Sequence, residues 1–265
     1  MHPFEHMKPR SGKDAAAQFK TAGDARYLAG GQTLIPVMKQ RLSAPSHLID
    51  LSAADELRGI KAGGNSLTIG AMTRHAEVAA SADVRRLMPA LADLAGGIGD
   101  PHVRNRGTIG GSVANNDPAA DYPAGLLGLG ATVHTDRRQI AADDFFVGMF
   151  STALEDGELI TAIEFPVPER AGYMKFKNPA SRYAVVGVMV SKGAGGARVA
   201  VTGAGAGVFR VPAMEAALTR SFAVKALDGI EVPVDGLNSD IHASAEYRAH
   251  LIGVMARRAV AQAAG

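Results

Sequence analysis

The sequence predicts an α+β protein with at least two domains. Its 265 residues are 47% hydrophobic, which is enough to build a substantial core. Helical and strand-like segments are mixed irregularly in the first part of the chain, so the regular βα repetition of a doubly wound parallel sheet is missing. Strand-like segments and then a long closing helix follow, an order typical of α+β folds.

The first part of the chain predicts two helices and two short strands. Residues 11–26 place Ala15 and Phe19 on one face of a helix. "ARYL" predicts a buried strand that ends before Gly30-Gly31, and "QTLIPVMKQR" predicts a helix with Thr33 as its N-cap. "HLIDLS" predicts a second strand.

From Leu57 the pattern favours antiparallel strands and short helices. "LRGIKAGGNSLTIGAM" predicts a hairpin around Gly63-Gly64-Asn65, because glycine and asparagine tolerate the positive φ of tight turns. Residues 74–99 predict helices that end at glycines. "GATVHTD" and "LITAIEFPVP" predict two further strands.

The last third of the chain predicts a linker, two strands and a helix. Proline and glycine at 166–172 indicate the linker. "RYAVVGVMVSKG" and "ARVAVTGAGAG" predict an antiparallel pair. Residues from Ser244 onward predict a long helix whose inward-facing residues are Leu251, Val254, Met255 and Ala259.

Composition excludes several functional classes. The net charge of +2 comes without a basic run that interleaves with aromatic residues, so nucleic-acid binding is not expected. The absence of cysteine excludes disulfides, thiolate catalysis and iron–sulfur ligation by this chain. No apolar stretch approaches the roughly 20 residues that span a bilayer, and "MHPFEHMKPR" has no apolar signal core. We therefore expect a soluble, cytoplasmic protein.

Familiar catalytic and nucleotide motifs fail on inspection. The glycines at 203–207 do not complete G-x-G-x-x-G, because position 208 is Val, so a Rossmann nicotinamide dehydrogenase is a distant alternative. No P-loop is present. His75 and Glu77 imitate the H-x-E of zinc deaminases, but the cysteines that this motif requires are missing.

Two segments share one design, "YLAGGQTL" at 27–34 and "GTIGGSVAN" at 107–115. Each has an apolar lead, a Gly-Gly pair and then polar residues. Adjacent glycines let backbone amides approach an anion, and Thr33, Thr108 and Ser112 add hydroxyl donors. A helix beginning after Thr33 would direct its positive end to the same place. Two such loops facing each other would suit a pyrophosphate; two ordinary turns are the alternative.

"NNDPAAD" carries two aspartates with different expected roles. Asp117 before Pro118 is typical of a helix N-cap with proline in the first turn. Asp121 would then lie one turn into that helix. Its carboxylate could bind sugar hydroxyls or only complement the helix dipole, and the residues alone leave both open.

Taken together, "YLAGGQTLIPVMKQR" and "VRNRGTIGGSVANNDPAADYPA" resemble the FAD-binding (medium) subunits of the molybdenum hydroxylase and xanthine dehydrogenase family, including the carbon monoxide dehydrogenase medium subunit. The resemblance covers essentially the whole chain. It implies a two-lobed FAD-binding domain of the p-cresol methylhydroxylase (PCMH) type, with lobes at 1–56 and 57–168. A small C-terminal α+β domain with an antiparallel sheet and helices would follow at 172–265.

The resemblance also implies which residues contact FAD. They are Ala29, Gly30, Gly31, Gln32, Thr33 and Leu34 in a first pyrophosphate loop; Thr108, Gly111 and Ser112 in a second; Asn115, Asp117 and Asp121 near the ribityl and ribose hydroxyls; Leu159 or Ile160 near the adenine or flavin; and Lys177 and Tyr183 near the flavin ring. No catalytic residue and no metal ligand is expected on this chain.

By resemblance, the chain is the electron-transfer subunit of a larger oxidoreductase. A small partner subunit would carry two [2Fe–2S] clusters, and a large partner would carry the molybdopterin cofactor and oxidise the substrate. FAD on this chain would pass electrons to an external acceptor, within a dimer of heterotrimers. Two alternatives are a stand-alone flavin oxidoreductase on the same fold and a flavin-free assembly subunit.

Overall fold

The computed structural model describes residues 1–264 of the chain. Over that range the strands form three larger sheets and a two-stranded ribbon, with helices packed around them, and the predicted α+β class is confirmed. Among the helices in these residues, none combines the length and the apolar character that crossing a bilayer requires.

The first segment forms a small parallel sheet with two helices. Its elements are β1 Glu5–Met7, α1 Gly12–Thr21, β2 Ala25–Leu28, α2 Leu34–Lys39 and β3 His47–Asp50. The strand order is β1-β3-β2, and β3 is parallel to both neighbours. Helix α1 begins where the Ser11 hydroxyl accepts a hydrogen bond from the Asp14 amide at 3.0 Å. Thr33 precedes α2, but its side chain makes no capping bond, so that part of the cap prediction is wrong.

The second segment is built around an antiparallel sheet with the strand order β4-β5-β10-β6-β7. Two short 3-10 helices, Leu51–Ala53 and Asp55–Leu57, lead into it. Its elements are β4 Ile60–Gly63, β5 Ser66–Gly70, α3 His75–Ala80, α4 Ala82–Leu87, α5 Pro89–Gly96, α6 Pro101–Arg104, α7 Ile109–Asn115, α8 Asp121–Leu129, β6 Thr132–Thr135, β7 Gln139–Ala141, α9 Ala142–Phe145, β8 Phe146–Gly148, β9 Ser151–Thr152 and β10 Ile160–Pro166. The predicted hairpin is present, and Gly64 in its turn has φ +55°.

Two local predictions in this segment are wrong. Gly110-Gly111 does not form a loop after a strand but lies in the first turn of α7. Asp117 does not cap a helix, because 117–120 is a turn in which its carboxylate accepts from the Ala119 amide at 2.9 Å. Helix α8 begins at Asp121, three residues later than predicted.

The last segment forms an antiparallel sheet covered by two helices. Its elements are β11 Arg170–Lys177, β12 Ala184–Gly193, β13 Gly196–Thr202, β14 Phe209–Arg210, α10 Pro212–Arg220, the 3-10 helix Val224–Leu227 and α11 Ala245–Ala264. The predicted β12–β13 pair and the long helix are present. The predicted linker is mostly strand, since β10 runs to Pro166 and β11 begins at Arg170.

Helix α8 joins the last sheet to the second segment through one core. All nine of its residues are buried. Gly128 packs against Met189 of β12, and its carbonyl accepts a hydrogen bond from Ser191 Oγ at 2.6 Å. The hydrophobic core around α8 also contains Ala200 of β13. The position of α8, and of Asp121 at its N-terminus, therefore depends on the last sheet.

Candidate functional site

A cavity of about 520 Å³ opens where the loop after β2, the start of α7, the start of α8, the start of β10 and the 178–183 loop meet. Its wall contains every residue predicted as an FAD contact except Lys177. They are Ala29, Gly30, Gly31, Gln32, Thr33, Leu34, Thr108, Gly111, Ser112, Asn115, Asp117, Asp121, Leu159, Ile160 and Tyr183. Segments distant in sequence are thus brought to one place.

The backbones of the two Gly-Gly segments lie in close contact at Gly30. A Cβ atom on Gly30 would lie 2.3 Å from the Arg106 carbonyl oxygen and 2.7 Å from the Gly107 Cα, so no side chain fits there. Gly31 has φ +71°, a conformation that favours glycine. Glycine at position 30 therefore allows the two segments to face each other, and glycine at position 31 suits the backbone conformation of the first loop.

The first loop presents unused backbone donors to the cavity. The amides of Gly31, Gln32 and Thr33 donate to no backbone carbonyl within residues 1–264, although all three residues line the wall. On the facing segment, Thr108 Oγ1 accepts from the Gly111 amide at 3.1 Å and caps α7. Free amides beside a helix start make a concave donor surface for an anionic group.

Asp121 is a buried carboxylate whose partners come from β11. The Lys175 ammonium lies 2.9 and 3.0 Å from its two oxygens, and the Tyr173 hydroxyl donates to one of them. Burial raises the pKa of the Asp121 carboxyl, while Lys175 and Tyr173 act in the opposite direction. The sequence left open whether Asp121 binds sugar hydroxyls or complements the helix dipole. It did not indicate this ion pair, because Lys175 is 54 residues away in the chain.

Glu158 fixes the chain directly before Leu159 and Ile160. Its carboxylate accepts from Arg138 Nε at 3.0 Å, Arg138 Nη2 at 2.9 Å, Thr135 Oγ1 at 2.7 Å and the Glu155 amide at 2.8 Å. The bonds from Arg138 lower the pKa of Glu158 from its ordinary 4.5 to about 2; burial opposes this shift, and the Glu155 amide and Thr135 assist it. Glu158 is therefore ionised at neutral pH and serves to hold this part of the wall.

Replacing Glu158 with Gln is expected to lower the free energy of unfolding by about 2 kcal/mol at pH 7, since charged hydrogen bonds are lost at a buried carboxylate. The folded-state pKa of Glu158 is depressed, so its contribution is present above pH 4.5 and is lost as the pH falls toward 2. Urea unfolding of the wild type and Glu158→Gln between pH 7 and pH 2.5 measures this. Their difference should shrink with falling pH.

Glu155→Gln is the matched control for this prediction. The Glu155 side chain is 62% exposed and pairs with Arg137 at the surface, so its loss should change stability by about 0.5 kcal/mol or less. A constant difference between wild type and Glu158→Gln across the whole pH range would contradict the assigned role of Glu158.

His75 is a cavity residue that sequence reasoning missed. It is 4% exposed, and burial, assisted by the Arg104 charge, lowers the pKa of its imidazole to about 4. Its Nδ1 atom is buried without a hydrogen-bond partner within residues 1–264. The sequence around a single histidine at a helix start does not indicate that its side chain will line a cavity. Further wall residues outside the prediction include Arg26, Gly107, Glu158, Ser181 and Arg182.

Lys177 is the one predicted contact that the structure does not place in the cavity wall. It is exposed at the end of β11, where a bulge between Phe176 and Lys177 shifts the register against β12. The lysine that reaches Asp121 is Lys175, two residues earlier. Spacing along the chain does not show this difference, because regular alternation would put both lysines on the same side of the sheet, and the bulge that breaks the alternation arises from the pairing with β12.

The chain is similar in sequence and in fold to several known proteins. A family model described as "FAD binding domain in molybdopterin dehydrogenase" matches residues 2–168. The carbon monoxide dehydrogenase medium chain of Afipia carboxidovorans is 36% identical, covering 98% of this chain and 96% of its own. The nicotine 6-hydroxylase medium subunit of Paenarthrobacter nicotinovorans is 36% identical, covering 98% and 97%. The solved structure of quinoline 2-oxidoreductase from Pseudomonas putida 86 matches with a TM-score of 0.88 at 30% identity, covering 98% and 96%.

Proposed function

Because this chain belongs to the family of FAD-binding medium subunits of molybdenum hydroxylases, we propose that it holds FAD in the cavity described above and relays electrons through it. The chain is an oxidoreductase subunit. The observation that carries the proposal is the backbone contact of Gly30 with Arg106 and Gly107, which builds one cradle from two distant segments.

The residues of the cavity fit FAD. The free amides of Gly31, Gln32 and Thr33 suit the anionic pyrophosphate, together with the hydroxyl of Ser112. A dinucleotide also needs acceptors and donors for its sugar hydroxyls, and Asn115 and Asp117 provide these along the same wall. We assign the remaining predicted contacts in the wall to the same ligand, with Tyr183 near the flavin ring and Leu159 or Ile160 near the adenine or the flavin.

The chemistry that FAD supplies when bound is the exchange of single electrons with one-electron carriers and of electron pairs with an external acceptor. The chain contributes binding and orientation. It has no cysteine to hold an iron–sulfur cluster, so we assign the [2Fe–2S] clusters to a small partner subunit and the molybdopterin cofactor to a large one. We propose that this chain, the small partner and the large partner form a heterotrimer, and that two heterotrimers form a dimer.

This chain does not select the substrate of the complex. The names of its relatives refer to carbon monoxide, nicotine and quinoline, yet all three are between 30% and 36% identical to this chain. A subunit that contacted the substrate would be expected to diverge with it. We therefore infer that substrate oxidation takes place on the large partner.

The purified full chain is expected to be yellow and to release equimolar FAD on denaturation, because the cavity supplies donors for both the pyrophosphate and the sugars. Visible absorption and chromatography of the released cofactor measure this. Alone, the chain should oxidise none of the substrates of its relatives. When it is isolated from its native host, molybdenum and iron should accompany it.

The two alternatives predict different results. A chain that folds but binds no added FAD would be an assembly subunit, and the proposed function would be wrong. Substrate turnover by the chain without any partner would instead identify a stand-alone flavin oxidoreductase.

A further inference from the structure

The side chain of Lys175 is buried between three segments of the cavity wall and is 8% exposed. Its ammonium contacts the Asp121 carboxylate at the start of α8. It also donates to the Gly97 carbonyl at 2.9 Å and to the Arg182 carbonyl at 3.0 Å. An ammonium has three donors. Lys175 thus has a donor for each of three segments that are separate in the chain.

The loop at 178–183 is closed on itself by hydrogen bonds such as the one from the Asn178 amide to the Tyr183 carbonyl at 2.8 Å, and a few side chains join it to its surroundings. Arg182 has φ +63°, an unfavourable backbone conformation for a residue with a side chain. Besides the bond from Lys175, the loop is attached to its surroundings by Arg182 Nη1, which donates to the Gly99 carbonyl at 3.2 Å, and by a contact of 3.3 Å between Asn178 Nδ2 and His242 Nδ1. Tyr183, at the end of this loop, lines the cavity and is 46% exposed. Its position therefore depends on the tie between the loop and the 97–99 turn.

We propose that Lys175 is a positioning residue for the bound cofactor: it joins the 178–183 loop to the 97–99 turn and to Asp121, so that Tyr183 is fixed as a wall of the cavity. Lys175 is not assigned a contact with FAD. The inference rests on the proposed function for the identity of the ligand, but the tie itself is a property of the chain without ligand.

A simpler role for Lys175 would be to neutralise the buried charge of Asp121 and nothing more. The two roles differ in what happens when both charges are removed. In Lys175→Met/Asp121→Asn no buried charge is left unpaired, so neutralisation is no longer needed. The carbonyls of Gly97 and Arg182 still lack their shared donor. A positioning role therefore persists in the double variant, whereas a neutralising role disappears.

The test is hydrogen–deuterium exchange of the FAD-free full chain, read for peptides that cover 178–183. We expect exchange in this loop to be about tenfold faster or more in Lys175→Met, since a charged hydrogen bond to the loop is lost. The same increase is expected in the double variant, and Lys175→Arg should restore most of the protection. Lys192→Met makes the same chemical change at a lysine of β12 that itself forms no ion pair within residues 1–264, and this variant should exchange like wild type.

FAD titration provides the second readout. Lys175→Met should bind FAD about tenfold more weakly than wild type, and Lys175→Arg should recover most of that loss. Wild-type loop exchange in Lys175→Met, or in the double variant if the single variant does not fold, would overturn the inference. If the wild-type chain fails to bind FAD, the proposed function fails, while the exchange result still decides whether Lys175 ties the loop.

Discussion

Gly30→Ala is expected to reduce FAD affinity by about 100-fold or more, which corresponds to about 2.7 kcal/mol. The new methyl group would lie 2.3 Å from the Arg106 carbonyl oxygen and 2.7 Å from the Gly107 Cα. Both are backbone atoms, so neither can rotate away as a flexible side chain would. The first loop must then separate from the start of α7, and the two halves of the cradle no longer face one ligand.

Fluorescence titration of the FAD-free chain measures this affinity. Gly63→Ala is the matched control, because a Cβ atom at this hairpin glycine meets nothing within 4 Å. Neither position has a positive φ, so the left-handed conformation that disfavours alanine is involved at neither. Full FAD occupancy in Gly30→Ala would show that the cradle is not where the cofactor binds.

Gly172→Ala is expected to destabilise the last sheet by about 3 kcal/mol, at the upper end for overpacking. Gly172 lies in β11 under helix α11, and a Cβ atom there would be 2.0 Å from the Ala259 carbonyl oxygen. The neighbouring Tyr173 amide also donates to Gln262 Oε1 at 2.8 Å. The helix would have to lift from the strand, so its buried apolar contacts and this hydrogen bond would be lost together.

Thermal and urea unfolding measure this loss. Gly193→Ala changes another glycine of the same sheet, at a position where a Cβ atom meets nothing within 4 Å, and should alter stability by about 0.5 kcal/mol or less. Equal unfolding midpoints for Gly172→Ala and Gly193→Ala would mean that α11 does not rest on β11 as closely as described.

Elements specified by local chemistry were predicted correctly. The hairpin between β4 and β5 follows from Gly64, whose positive φ is a property of the turn itself. The closing helix follows from apolar spacing: Leu251, Met255 and Ala259 are buried as predicted, whereas Val254 is half-buried.

Elements whose glycines serve close packing were misread. Gly110 suggested a loop, since glycine disfavours helices. It lies instead in α7, and the reason for glycine at this position is close packing, since a Cβ atom would come 2.6 Å from the Ala71 Cβ. Gly172, together with the proline at 166, suggested a linker, yet it belongs to β11. A sequence does not reveal whether a glycine is needed for flexibility or for contact with a distant segment.

In the candidate site, too, the local motifs were predicted and the contacts between distant segments were not. The paired Gly-Gly segments and the polar residues at 115–121 were identified through their resemblance to a known family, and the structure gathers them around one cavity. His75 was missed because burial, which lowers the pKa of its imidazole, comes from residues that fold over it. Lys177 was predicted beside the flavin but lies outside the cavity wall, and the bulge before it is set by the pairing of β11 with β12, which the sequence does not show.

The amino-acid sequence alone determined the fold class, most helices and strands, the family, and with it the expectation of FAD. These depend on residue types and on neighbours within a few positions. The tertiary structure alone decided that Gly30 meets Gly107 and that Lys175 joins Asp121, Gly97 and Arg182. Such contacts depend on how sheets and helices pack, and packing places side by side residues that are more than 50 positions apart in the chain.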